Sequence, residues 1–238
     1  MRSAALPLCF NIERSISMNE FFVPFAAVTL FLAYLAGCFN TAYFLGKRKK
    51  VNVLESGSKN PGASNAMVTM GWKAGVLVGA ADIFKCALSV LVAKLVFPIV
   101  PELWFVAALG CVLGHMFPFY LKFRGGKGLA CLVGALLALH PLAFVAGGII
   151  IIILTLVTDY IVISTYTLSL LFPVFAFFFG EWQGGSGYIC GGLALTVSVF
   201  IIAKHFVNFK RLLAGTEIGL RGANSGKYRK DKKDDKEG

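Results

Sequence analysis

Three glycines crowd a lysine in "FRGGKG", residues 123–128: Gly125, Gly126 and Gly128 surround Lys127, with Arg124 alongside. Glycine lets a backbone come close to a ligand and turn successive N–H groups toward one point, the arrangement that cradles phosphate oxygens. Lys127 adds a point charge, and a helix opening near Leu129 would aim the positive end of its dipole at the same place. The chemistry on offer is capture of a compact anion. It is not that of a nucleoside-triphosphate loop, because the GxxxxGK[ST] spacing is absent. A basic anchor at a membrane border uses the same residues, so both readings stand on local grounds.

Two further stretches hold polar groups at useful spacing. In "KHFVNFKRLLAGTE", His205 and Asn208 are three residues apart and share one helical face, which Arg211 and Leu212 extend before Gly215 ends the helix. An imidazole beside an amide can accept a proton or orient a substrate; an interfacial anchor is the alternative. In "SGSKNPGASNAMVTMG", residues 56–71, Asn60 and Asn65 flank a Pro-Gly turn, as expected of a polar binding loop or of a flexible linker. Asp82 and Lys85 stand three apart inside an apolar run, where charges face the interior of a bundle and mark either a site or a tie between helices. His115 reads as a hydrogen-bonding group in helix packing.

These groups need a membrane scaffold to hold them. The 238 residues are 57% apolar with a formal net charge of +11, and the mean hydropathy is +0.75. Several uncharged runs approach the roughly 20 residues that cross a bilayer. "GGIIIIILTLV" does not alternate as a barrel strand must. The fold class is therefore an all-α polytopic membrane protein. Five spans are expected near 21–46, 74–97, 103–121, 160–180 and 187–203. Between the third and fourth, His140-Pro141 splits an apolar stretch into short helices at 129–139 and 142–157, because proline breaks a helix interior. Six Lys and Arg residues fall in 47–73, three in 121–128 and ten from 204 onward, while 98–102 and 181–186 have none. The basic loops then share the cytoplasmic face. That parity requires the Pro-broken region to cross twice or not at all, and crossing twice gives seven helices, two of them short, with the N-terminus outside. Residues 1–20 read as a poorly ordered leader, 21–217 as the membrane domain and 218–238 as a charged, solvated tail; Met18 is a second candidate start. Six scattered cysteines suit packing better than a disulfide framework or metal site. No internal repeat is visible, which disfavours a transporter built on inverted repeats.

Taken together, the cytoplasmic stretches resemble the bacterial acyl-phosphate:glycerol-3-phosphate acyltransferases of the PlsY type. The resemblance runs from about Phe21 to Glu217. "GSKNPGASNA" is similar to that family's GSGNxGATN block, "DIFKC" to its DxxKG, "GHMFPFYLKFRGGKGLAC" to GHxFPxxxxFKGGKGxAT and "KHFVNFKRLLAGTE" to RHxxNIxRLxxGTE. It implies seven transmembrane helices in a bacterial inner membrane, an active site at the cytoplasmic face, and acyl transfer from acyl-phosphate to the sn-1 hydroxyl of glycerol 3-phosphate, giving lysophosphatidate. It implies no cofactor, no metal and no nucleic-acid partner. Ser58, Lys127, His205 and Asn208 fall on polar catalytic positions, Gly125, Gly126 and Gly128 on the phosphate loop, and Asn60 and Asn65 on asparagines of the first motif. Two positions depart. The family arginine that contributes to binding of the acceptor phosphate is Val68 here, and Lys59, where the family has glycine, is a candidate substitute. Cys131 for threonine and Cys86 for glycine are milder changes.

Acyl-phosphate is a mixed anhydride with a good leaving group, so a covalent enzyme nucleophile is not obligatory, and no GxSxG elbow is present. Positioning and fixed hydrogen-bond donors can supply most of the acceleration. The hydroxyl proton has two open destinations, His205 or a substrate phosphate. A paralogue with another acceptor and a small transporter lined by Asp82 and Lys85 are the competing readings. Oligomeric state is not readable.

Overall fold

A computed structural model describes residues 5–217 and 219–221, with side chains from Phe22 onward. Every regular element among the described residues is helical. Helix α1 (Ala5–Cys38) leads to α2 (Thr41–Arg48), α3 (Ala63–Met70), α4 (Trp72–Val96), α5 (Pro101–Met116), α6 (Leu129–Leu139), α7 (Pro141–Thr158), α8 (Ile161–Trp182) and α9 (Gly187–Leu213). Among the described residues, six segments are long and apolar enough to cross a membrane, and α6 is a shorter apolar helix. Helical backbone begins at Ala5, well before the expected first span. Residues 1–4 of the proposed leader, and all of the proposed tail except Gly219–Arg221, lie outside the described residues.

The first span differs from the single run expected over 21–46. It breaks at Phe39–Asn40, because the Asn40 side chain takes the Tyr43 N–H at 2.9 Å and starts a new helix as its N-cap. The second expected break is where proline chemistry puts it. His140 is extended (φ −154°, ψ 112°), as a residue before proline must be, and Pro141 occupies the first turn of α7. The 11-residue α6 is about 16 Å long at 1.5 Å per residue, roughly half the hydrocarbon thickness. Its last carbonyls, Ala138 and Leu139, accept from Lys94 Nζ at 2.9 and 3.2 Å.

Helix α5 is the axis of the bundle, buried from Pro101 through Val112. Helix α1 lies against it backbone to backbone: a Cβ at Gly114 would stand 2.0 Å from the Tyr34 carbonyl oxygen. Small residues permit that approach, which supplies dispersion contact where lipid offers no hydrophobic drive. Leu95, Leu142, Val157 and Phe178 project outward as a bundle in hydrocarbon requires.

Contacts sort the connectors into two ends. At one, Tyr120 Oη donates to the Cys38 carbonyl and accepts from the Asn40 N–H, Asn40 Nδ2 donates to the Pro61 carbonyl, and Lys127 meets Asn208. The α7–α8 turn joins the same end, since Asp159 takes the N–H groups of Leu220 and Arg221 beyond α9. At the other, Trp104 bonds to Phe97 and the Glu102 carboxylate takes the Ser186 N–H.

Candidate active site

The chain after α5 doubles back on it. The N–H of Gly125 donates to the Met116 carbonyl and that of Gly126 to the His115 carbonyl, both at 3.0 Å. This corrects the expected cradle of consecutive glycine N–H groups, for two of its donors are engaged in anchoring the loop. Among the described residues, no acceptor takes the N–H of Lys127 or Gly128. Gly128 caps α6 with φ 92°, a left-handed value that favours glycine, and makes no side-chain cap bond. The first N–H groups of α6 therefore remain available to an anion.

Lys127 stands at that opening. Its Nζ donates to Asn208 Oδ1 at 2.5 Å, and Asn208 Nδ2 donates to Glu217 Oε1 at 2.6 Å. The carboxylate can only accept, so it fixes which way the Asn208 amide faces and leaves Oδ1 for the lysine. Burial holds the Lys127 ammonium below the usual lysine range; the Glu217 carboxylate opposes that shift and the Arg211 guanidinium adds to it. One helical turn before Asn208, His205 is buried, with Nδ1 2.9 Å from the Ile201 carbonyl. A carbonyl only accepts, so Nδ1 carries the proton and Nε2 keeps its lone pair. That tautomer is the one a proton acceptor needs.

The first loop is organised by Asn65, which is buried. Its Nδ2 donates to the carbonyls of Val53 (3.0 Å) and Ser56 (3.1 Å), and its Oδ1 accepts the Ser58 N–H at 2.8 Å. Asn65 was expected to touch substrate; its amide is instead committed to the loop backbone and presents Ser58, which is exposed. Lys59 is exposed with φ 59°, and Asn60 is half-buried with its carbonyl on the Gly62 N–H. Among the described residues, no hydrogen bond links Ser58, Lys59 or Asn60 to Lys127, His205 or Asn208. The two halves are joined through Asn40 and Tyr120. Val68 lies on the exposed side of α3.

The structure thus brings Lys127, His205 and Asn208 together and adds Glu217, which was read only as part of its motif. Its signal was its place just after the glycine stop of α9, where a short chain reversal returns it to Asn208. His115 is also closer to the chemistry than its motif suggested: its ring lies directly under Gly126.

Comparison with known proteins follows the same residues. The profile of the family described as "Glycerol-3-phosphate acyltransferase" matches residues 27–215. A glycerol-3-phosphate acyltransferase of Thermoanaerobacter pseudethanolicus is 34% identical over 197 residues, covering 82% of this chain and 96% of that protein. One from Trichlorobacter lovleyi is 38% identical over 186 residues, covering 78% and 92%. The crystal structure of PlsY (YgiH), an integral membrane glycerol 3-phosphate acyltransferase, in its glycerol 3-phosphate form superposes with a TM-score of 0.73 at 30% identity, over 82% of this chain and 95% of that one. Its lysophosphatidic acid form gives 0.71 at 30% identity.

Proposed function

The chain belongs to the glycerol-3-phosphate acyltransferase family, and we propose that it transfers a fatty acyl group from acyl-phosphate to the sn-1 hydroxyl of glycerol 3-phosphate. The products are lysophosphatidate and inorganic phosphate. The observation that carries this reading is the Lys127–Asn208–Glu217 chain set beside His205 at the open N-terminus of α6. Two anionic substrates must be held close together, and a half-buried ammonium with free helical N–H groups answers that need. The acceptor oxygen attacks the acyl carbon while the bond from that carbon to the bridging phosphate oxygen breaks. The developing phosphate charge is met by Lys127 and the α6 N–H groups, with Gly125, Gly126 and Gly128 giving the loop its shape. His205 Nε2 receives the hydroxyl proton or orients the hydroxyl toward a phosphate that does. Asn208 holds Lys127 in register, and Ser58, Lys59 and Asn60 contact the acceptor from the first loop.

Acyl-phosphate is the donor that the motif resemblance implies, a mixed anhydride whose leaving group requires no covalent intermediate, and the acyl chain lies among helices that already face lipid. The membrane is a bacterial inner membrane, crossed seven times with α6 as the short member, the N-terminus outside and the C-terminus cytoplasmic. The shared end of the α7–α8 turn and the α9 exit supports that count. The test is purified protein in vesicles with radiolabelled glycerol 3-phosphate, offered palmitoyl-phosphate or palmitoyl-CoA. Labelled lysophosphatidate is expected with the first donor only; product from the thioester alone overturns the donor assignment.

A further inference from the structure

Asp82, Lys85 and His115 meet beneath the glycine loop. Lys85 Nζ lies 2.8 Å from Asp82 Oδ1, 2.8 Å from the Phe39 carbonyl oxygen and 3.0 Å from His115 Nδ1. Asp82 Oδ1 also lies 3.4 Å from His115 Nδ1, so the imidazole is held by both charged groups. Nε2 is the nitrogen turned toward Gly126. All three side chains are buried. Cys131 Sγ, in the first turn of α6, reaches the Asp82 carbonyl at 3.6 Å. The end of α1, then α4, α5 and α6 all converge on this knot.

Gly126 packs against the imidazole. A Cβ there would stand 2.0 Å from His115 Nε2 and 2.5 Å from Cε1, and the Gly126 N–H is already bound to the His115 carbonyl. The next residue is Lys127. A buried ion pair adds little to stability over an apolar packing of the same volume, so stability alone is a poor account of this one. What the knot fixes is the rotation of one ring, and the ring fixes the height of the loop. Displacements of about 1 Å at such a site cost on the order of a hundred-fold in rate. We propose that His115, held by Lys85 and Asp82, is a positioning residue that sets the glycine loop and so delivers Lys127 to Asn208. The proposal rests on the role given to Lys127 above.

The experiment is second-site suppression in purified, reconstituted protein, reading kcat and KM for both substrates beside the thermal midpoint. Gly126→Ala drives a methyl into the ring and lowers kcat/KM on the order of a hundred-fold. His115→Ala lowers it less and opens the space the methyl needs. The double variant therefore recovers at least tenfold over Gly126→Ala, a pattern that general destabilisation does not produce. A double variant no better than Gly126→Ala overturns the proposal. Where Gly126→Ala does not fold, the paired change Asp82→Asn with Lys85→Met removes both charges and frees the ring. Wild-type turnover in that pair overturns the proposal equally, and a tenfold loss at an unchanged midpoint supports it. Lys127→Ala separates the two claims. If it turns over like wild type, the role of Lys127 falls and this inference with it; if it is inactive and suppression is absent, only the inference falls.

Discussion

Lys127 is where charge, burial and chemistry meet, and its titration gives a measurable prediction. It binds anions only as an ammonium, and burial already holds its pKa below the ordinary lysine value. Activity must therefore fall as pH rises through that lowered pKa. Glu217 opposes the depression, so Glu217→Gln moves the alkaline limb of kcat/KM for glycerol 3-phosphate to lower pH. Lys127→Arg, protonated throughout, removes that limb even where its different shape lowers the maximum. An alkaline limb unmoved in Glu217→Gln assigns it to another group. Val68 supports a second prediction. It stands on an exposed face of α3, so an arginine there disturbs no core. A charge-assisted hydrogen bond contributes roughly 1.5–3 kcal/mol, and Val68→Arg is expected to lower KM for glycerol 3-phosphate about ten- to a hundred-fold with that for palmitoyl-phosphate unchanged. Loss of activity in a folded Val68→Arg would mean a pocket shaped for a different acceptor. Lys59 holds a left-handed φ that costs a side-chain-bearing residue about 1 kcal/mol relative to glycine, which fits retention of its charge for a purpose.

At the scale of elements, the first loop is an object built by one side chain. Asn65→Asp keeps the shape but cannot donate, so the buried Val53 carbonyl loses its partner and the Ser56 carbonyl keeps only the Lys59 N–H. Each unmet buried acceptor costs about 1–3 kcal/mol, enough to loosen a short loop while α3 persists. Faster amide exchange confined to residues 53–60, with a raised KM for the acceptor, is the expected result; unchanged exchange there means the loop has another support. Elements with a covalent or periodic cause were legible from the sequence: the Pro141 break, the stop at Gly215 and the three basic connectors. What was not legible depended on distant partners. Asn40 looked like an interior residue of one long span until its side chain was seen taking the Tyr43 N–H. The glycine N–H groups were expected to face a ligand because nothing in "FRGGKG" says that α5 leaves carbonyls for two of them. Glu217 and His115 act through residues 9 and 11 positions away, across a chain reversal that composition does not encode.

Across the whole molecule, charge separation between the two ends predicts orientation. The five cysteines with described side chains are all buried, so with Cys9 replaced by serine a new surface thiol can be read against a low background. A cysteine at Ser58 or at Gly215 is expected to resist a membrane-impermeant maleimide on intact cells and to react once the membrane is permeabilised. Strong labelling of either from outside reverses the proposed topology. The same experiment at Gly184, in the α8–α9 connector, should give the opposite pattern.

The contact between Asp159 and the chain beyond α9 bears on catalysis through effective concentration. Glu217 has a hold on either side of it: α9 itself before, and after it the Asp159 carbonyl and carboxylate, which take the N–H groups of Leu220 and Arg221 at 2.8 and 2.9 Å. Glu217 sits within that bridge, so its carboxylate meets Asn208 as a doubly tethered group with little freedom left to lose. Asp159→Ala removes the carboxylate half of that hold and leaves only the residue-159 carbonyl on the Leu220 N–H, so the tether loosens and the local concentration of the Glu217 carboxylate falls. Glu217 should then matter less: Glu217→Gln is expected to shift the alkaline limb by a smaller amount in the Asp159→Ala background than in wild type. Equal shifts in the two backgrounds would show that the bridge contributes nothing to holding the carboxylate.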